Sequence, residues 1–230
     1  MKGKTTALAL ALTLSLALLL PLSACGGGGL SADDAKLYVQ GILDENYLGK
    51  SEADFRKLID ITEEDVEETY AGSLETEAQF FLDSFVESEL PEEDQDRLLE
   101  ELSTLYRQVY AHSKYTVESA SEVDDTTFGV KVTVEPIDIF HQVADDLSNG
   151  AADELNSSYP DQMTDEEYLA YEIEWVELFM DLTYEKLPQL GYLEPQTLLV
   201  QVALGDDDYW TISDEDFWSL DALIIDYNLG

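Results

Sequence analysis

The sequence predicts an α+β fold, with several long helices packed on one face of an antiparallel sheet of about four strands formed by two hairpins. Three observations predict it. Long stretches repeat apolar residues at steps of three and four, as in Val66, Tyr70, Leu74, Ala78, Phe81 and Phe85. Other stretches alternate with period two, as in Phe128, Val130, Val132 and Val134. The two kinds of stretch come in blocks: helices, hairpin, helices, hairpin, helix. Segregated blocks of this kind indicate an antiparallel sheet, not a parallel one wound with alternating helices.

Ser31 is placed to cap a first helix running to about Tyr47, with Leu37, Val39, Ile42 and Leu43 apolar. A short helix after Ser51 carries Phe55, Leu58 and Ile59. Thr62-Glu63-Glu64-Asp65 is close to a capping box and opens the long helix that begins with Val66. Pro91 is predicted to end that helix and to begin the next, where a missing N–H costs least. Leu98, Leu102, Leu105, Val109 and Tyr110 form the stripe of that next helix.

The period changes at Lys114. Tyr115, Val117 and Ser119 alternate with polar residues, Asp124-Asp125-Thr126 turns, and the return strand reaches Pro136. Ile137 to about Leu155 reads as helix again, interrupted near Asn149-Gly150, and Ser157 to Gln162 as a loop. Thr164-Asp165-Glu166-Glu167 is a full capping box. Leu169, Ile173, Val176, Met180 and Leu187 mark the helix behind it, ended by Pro188 and Gly191. Gln196 to Leu204 and Tyr209 to Ile212 form a second hairpin around Gly205-Asp206-Asp207-Asp208. Ser213 caps a last helix with Phe217, Leu220 and Ile224 inward. The hairpins either join in one sheet or make two helix-plus-hairpin units in tandem; no internal repeat favours the second.

The chain has 51 acidic and 11 basic residues and a formal net charge of −40. Such a surface repels nucleic acid and anionic lipid head groups, so neither is an expected partner. It is not a disordered acidic tail, because 45% of the residues are hydrophobic, with 13 Tyr, 8 Phe and 3 Trp among the aromatics.

Lys2 and Lys4 are the only charges before Asp33, and Thr5 to Leu20 is an apolar run of mainly Ala, Leu and Thr. Its length suits a signal peptide and falls short of the roughly 20 residues a spanning helix needs. Leu22-Ser23-Ala24-Cys25-Gly26 resembles the lipobox of bacterial lipoproteins. That resemblance implies cleavage by signal peptidase II between Ala24 and Cys25, and a diacylglyceryl group, with acyl chains of the palmitate kind, on the Cys25 sulfur. Cys25 is the only cysteine, so no disulfide or cysteine metal site is expected. The glycines from Gly26 to Gly29 read as a flexible tether. The expected organisation is a signal peptide over 1–24, a lipidated cysteine and tether over 25–30, and an acidic, helix-rich domain over 31–230. The expected location is the extracytoplasmic face of the cell membrane, held there by lipid.

Further segments extend the resemblance. Tyr38-Val39-Gln40-Gly41-Ile42-Leu43-Asp44, Tyr115-Thr116-Val117 and Val134-Glu135-Pro136-Ile137-Asp138 look like lipoproteins of Gram-positive, Firmicutes-type bacteria. Tyr209-Trp210-Thr211-Ile212-Ser213 resembles the last strand of cystatin-like and nuclear-transport-factor-like cone domains. The first resemblance implies a compartment and a rough architecture, and supplies no catalytic residue.

Candidate chemistry is sparse. His112 lies near a helix end, where a histidine meets free carbonyls. Asp138 and His141 are three apart on a helix and could share a face as an acid–base pair. No nucleophile stands in a recognisable turn beside them. Asp145-Asp146, Asp206-Asp207-Asp208 and Asp214-Glu215-Asp216 lack the alternate ligand spacing and glycine of a calcium loop; turns and a helix start account for the last two. No metal and no cofactor is expected. Tyr168, Tyr171, Trp175, Phe179 and Tyr184 crowd one helix, and Tyr171 and Trp175 fall off its main stripe as a candidate contact surface.

Two functional classes follow. The first is a non-catalytic module, anchored to the membrane, that binds a protein, a cell-envelope component or a small ligand. The second is a small-pocket enzyme of the cone type using an Asp/His or Asp/Tyr pair. A transporter's solute-binding lipoprotein fits less well, because the chain lacks the strand–helix alternation of two α/β lobes.

Overall fold

The computed structural model describes residues 22–23, 29–205 and 209–227. Ala24, Cys25 and most of the glycine tether lie outside the described residues, as does the tip of the second hairpin at 206–208.

The helices start where the caps predict. In α1 (Ala32–Leu43), Ser31 and Asp34 form a reciprocal capping box. The helix then widens into a π-helical turn, Asp44–Leu48, and Gly41 lets it approach α2 (Ala53–Ile59), since a Cβ there would lie 2.0 Å from the Phe55 ring. Thr62 and Asp65 box the start of α3 (Glu63–Phe85). α4 (Glu92–Tyr110) packs along α3.

The expectation at Pro91 needs correction on two points. α3 ends at Phe85, six residues before the proline, and Pro91 is the N-cap of α4 rather than its first helical residue. The cause is distant in sequence. The buried Glu172 carboxylate accepts hydrogen bonds from the Glu87 and Ser88 N–H groups at 2.7 and 3.1 Å, which holds the chain after Phe85 out of helix.

The expected break near Asn149-Gly150 is present. α5 (Ile139–Asp146) runs into a π-helical segment, Leu147–Ala151, that turns at Gly150 with φ of 114°, a value that favours glycine. α6 (Asp153–Ser158) extends a little past the expected end at Leu155. Thr164 and Glu167 box α7 (Asp165–Lys186), and α8 (Asp214–Ile224) starts at Ser213.

The two hairpins join into one antiparallel sheet. Its strands are β1 (Lys114–Asp124), β2 (Thr127–Glu135), β3 (Gln196–Leu204) and β4 (Tyr209–Ile212), in spatial order β1-β2-β3-β4. The hairpins meet between β2 and β3, in register from Thr127↔Ala203 to Val134↔Gln196. Leu22–Ser23 adds a two-residue pairing on the outer edge of β4. The inner face carries Phe128, Val130, Val132, Val134, Val200 and Val202, all buried under helices. The outer face carries Val123 and Leu199, both strongly exposed. This is the one-sided alternation expected of an antiparallel sheet. After α8, Ile225 and Asp226 pair with Ile137 and carry Tyr227 back into the helical layer.

Candidate functional site

Where α3, α4, α5 and α7 converge, they leave a small pocket walled by aromatic side chains. Phe80, Phe81 and Phe85 come from α3, Tyr106 from α4 and Phe140 from α5. Phe179 of α7 and Tyr227 of the C-terminal segment complete it. Its volume is about 20 Å³, room for about one water. Phe81 and Phe179 lie 4.7 Å apart, and Phe140 lies 5.3 Å from both Phe179 and Tyr227. These are the separations at which tilted rings attract. Phe80, Phe85 and Tyr227 are half-buried, so they form the outer side of the wall.

Beneath the rings lies a buried layer of acids and tyrosines. The Tyr227 hydroxyl donates to Glu77 of α3, and Tyr47 donates to Asp221 of α8 at 2.7 Å. Both carboxyls are buried. Burial, followed by the negative charge of Asp221, pushes the Glu77 carboxyl up to about 7, although hydrogen bonds from Tyr227 and Tyr110 offset part of this. Burial likewise raises Asp221, against the hydrogen bond from Tyr47. Tyr47, Tyr106, Tyr110 and Tyr227 are all driven well above the ordinary tyrosine value, again by burial first and then by the neighbouring acids. Among the described residues no lysine, arginine or histidine forms an ion pair with Glu77 or Asp221. With no such partner, burial favours the protonated form of each acid.

Glu45, in the π-helical turn after α1, is a third buried acid. Burial pushes it up to about 7. Thr69 lies beside it and offsets part of that rise, yet neither carboxylate oxygen completes a hydrogen bond.

The sequence-expected residues are placed as follows. Asp138 and His141 do meet, with Nδ1 and Oδ1 2.8 Å apart and the Asp226 carboxylate 3.8 Å from the same nitrogen. Neither lines the aromatic pocket, although the neighbouring Phe140 does. Tyr171 is half-buried, donates to Asn156 at 3.0 Å and packs between Tyr159 and Tyr168. Trp175 is also half-buried. It stacks on Phe85 at 5.1 Å and on Phe179 at 5.9 Å, which ties it to the pocket wall. The pair therefore divides: Tyr171 belongs to a surface tyrosine cluster and Trp175 to the back of the pocket.

His112 follows α4, where its carbonyl accepts from Tyr192. Asp146 is paired with Lys186 at 2.5 Å. Asp216 accepts from the Gln201 N–H at 2.8 Å. Among the described residues no group of three or more His, Cys, Asp or Glu side chains could hold a metal ion. No helix among them is long and apolar enough to cross a membrane.

Sequence reasoning missed Glu77, Asp221 and the pocket itself. A signal was present for the two acids. Glu77 falls in the stripe Leu74, Ala78, Phe81, and Asp221 in the stripe Phe217, Leu220, Ile224. An acid on an apolar stripe is either exposed at its margin or buried with a partner.

Fold and site together define an α+β domain whose helical layer encloses an aromatic pocket over a layer of buried acids and tyrosines. The fold is shared with a candidate lipoprotein, ycdA, of Bacillus subtilis. The match covers 84% of this chain and 56% of that one, with a TM-score of 0.53 and 20% identity. The likeness is one of fold, and it takes in little more than half of that longer chain. No family model and no curated protein matches the sequence.

Proposed function

We propose that the chain is a lipoprotein, held by Cys25 on the extracytoplasmic face of the membrane, and that its domain is a non-catalytic binding module for a small ligand. The observation that carries the reading is the pocket wall. It consists of aromatic rings whose only polar atoms, the tyrosine hydroxyls, include a Tyr227 hydroxyl engaged with Glu77. Such a wall favours holding a ligand over transforming it. The fold likeness to a candidate lipoprotein supports the address, and the tether and acidic surface would keep the domain clear of an anionic membrane.

A second reading is kept because one geometry favours it. The Asp138–His141 contact is an oriented acid–base pair, the constellation a cone-type enzyme would use.

Titrating the full-length chain with small apolar and alkylammonium compounds, followed by tryptophan fluorescence with Trp175→Phe as the control, separates the two. The module reading expects a saturable change and recovery of the compound unaltered. Conversion of the compound, abolished by His141→Ala, overturns it in favour of the enzyme. For the address, Cys25→Ala is expected to abolish acyl labelling and membrane association; retention of both overturns the anchor.

A further inference from the structure

We propose that the aromatic pocket recognises a small organic cation whose charge is spread over methyl groups, an alkylated ammonium. The proposal rests on the reading of this pocket as the binding site of the module, and it names the ligand class.

Three features converge on that chemistry. The wall is built of seven aromatic side chains drawn from four helices and the C-terminal segment. Ring faces carry negative potential, and a concave set of them attracts a cation that has little water to lose. The wall offers no carboxylate or carbonyl cluster for a metal ion, which needs several oxygen ligands. A methylated ammonium needs none.

The second feature lies behind the rings. Tyr227 is at once a wall residue and the donor to Glu77. Glu77 is faced by Asp221 of α8, Tyr110 and Tyr106 of α4, Tyr47 of the turn after α1, and Tyr227. All of these are acidic or neutral. A cation in the pocket would supply the missing positive charge and favour loss of the Glu77 proton. The third is the net charge of −40, which concentrates cations around the domain and disfavours anionic ligands.

The closed volume of about 20 Å³ is smaller than a trimethylammonium group, so binding requires the wall to yield. The half-buried rings are Phe80, Phe85 and Tyr227, and Phe85 is the last residue of α3, just before the extended connection. Opening the wall at Phe85 breaks its contacts with Phe81 at 4.6 Å and Trp175 at 5.1 Å, so part of the binding energy offsets that loss.

The test compares choline with its neutral carbon isostere, 3,3-dimethylbutan-1-ol, on the full-length chain by calorimetry, with the part of the tryptophan fluorescence change that Trp175→Phe removes reporting the place. The expected result is that choline binds about tenfold or more tightly than the isostere. Its advantage grows from pH 6 to pH 8 as Glu77 ionises. Glu77→Gln reduces the advantage and its pH dependence, while the isostere is unaffected. Tyr227→Phe, which keeps the ring, provides the same comparison if Glu77→Gln fails to fold: choline still binds, with weaker pH dependence. Equal binding of choline and isostere overturns the cation proposal and leaves the pocket as an apolar binding site. Binding of neither overturns both the proposal and the pocket.

Discussion

Two populations of carboxyl groups divide this molecule. Asp34, Asp65 and Glu167 sit three residues inside helix starts and accept from N-cap backbone and hydroxyl groups. Those hydrogen bonds hold Asp65 and Glu167 below the ordinary carboxylate value, because they favour the charged form. Glu77 and Asp221 sit on the apolar stripes of α3 and α8 and Glu45 in the π-helical turn after α1, and burial shifts all three upward. The residue types are the same and the consequence is opposite. A helix end supplies free N–H donors, whereas the surroundings of Glu77 and Asp221 supply tyrosine hydroxyls.

The largest way to break this contrast is at Glu77. Glu77→Ala leaves a cavity and orphans the Tyr227 hydroxyl, and urea unfolding should show a loss of about 3 kcal/mol at pH 5. Glu77→Gln keeps the shape and the hydrogen bonds without a charge to bury. At pH 8 it should be more stable than the parent by about 2 kcal/mol.

The pH profile of the parent follows from the same shifts. Glu45 and Glu77 have folded values of about 7 against 4.5 when unfolded, so the folded state holds more protons across that range. Their contribution is fully present below pH 4.5 and is lost as pH rises through 7. The capping acids run the other way: their contribution is present above the ordinary carboxyl range and is lost as pH falls below it. Thermal unfolding should therefore show greatest stability near about pH 5. Self-repulsion of a net acidic chain also grows with pH, so the difference between the parent and Glu77→Gln isolates the buried group.

Smaller effects sharpen the surface side. Thr62→Ala and Thr164→Ala each remove one half of a capping box and should each cost about 1 kcal/mol in denaturant unfolding. Glu75→Gln, two residues from Glu77 but exposed, should change stability by no more than about 0.5 kcal/mol.

Much of the fold was legible because it is local. Ser31, Thr62, Thr164 and Ser213 marked helix starts through side chains that reach only three residues. Alternation from Phe128 to Val134 fixed the face of a strand. Gly150 marked a break that needs its backbone freedom. What was not legible depends on distant partners. Glu172 holds the Glu87 N–H just past α3 from 85 residues away in sequence, and the pocket gathers rings from Phe80 to Tyr227. Glu77 stood on a readable stripe, but only the arrival of Tyr110 and Tyr227 shows that it is buried as an acid held by tyrosines. The Asp138–His141 contact was legible as a three-residue spacing, although Asp138 is the N-cap of α5 and not on the helix as expected; its separation from the pocket was not.

The most direct test of the account is a carbon-13 titration of the Glu77 side-chain carboxyl in the full-length chain, with and without choline. The account predicts a midpoint near 7 for the free protein and a lower midpoint when choline is bound. A midpoint near the ordinary 4.5, unmoved by choline, would contradict it.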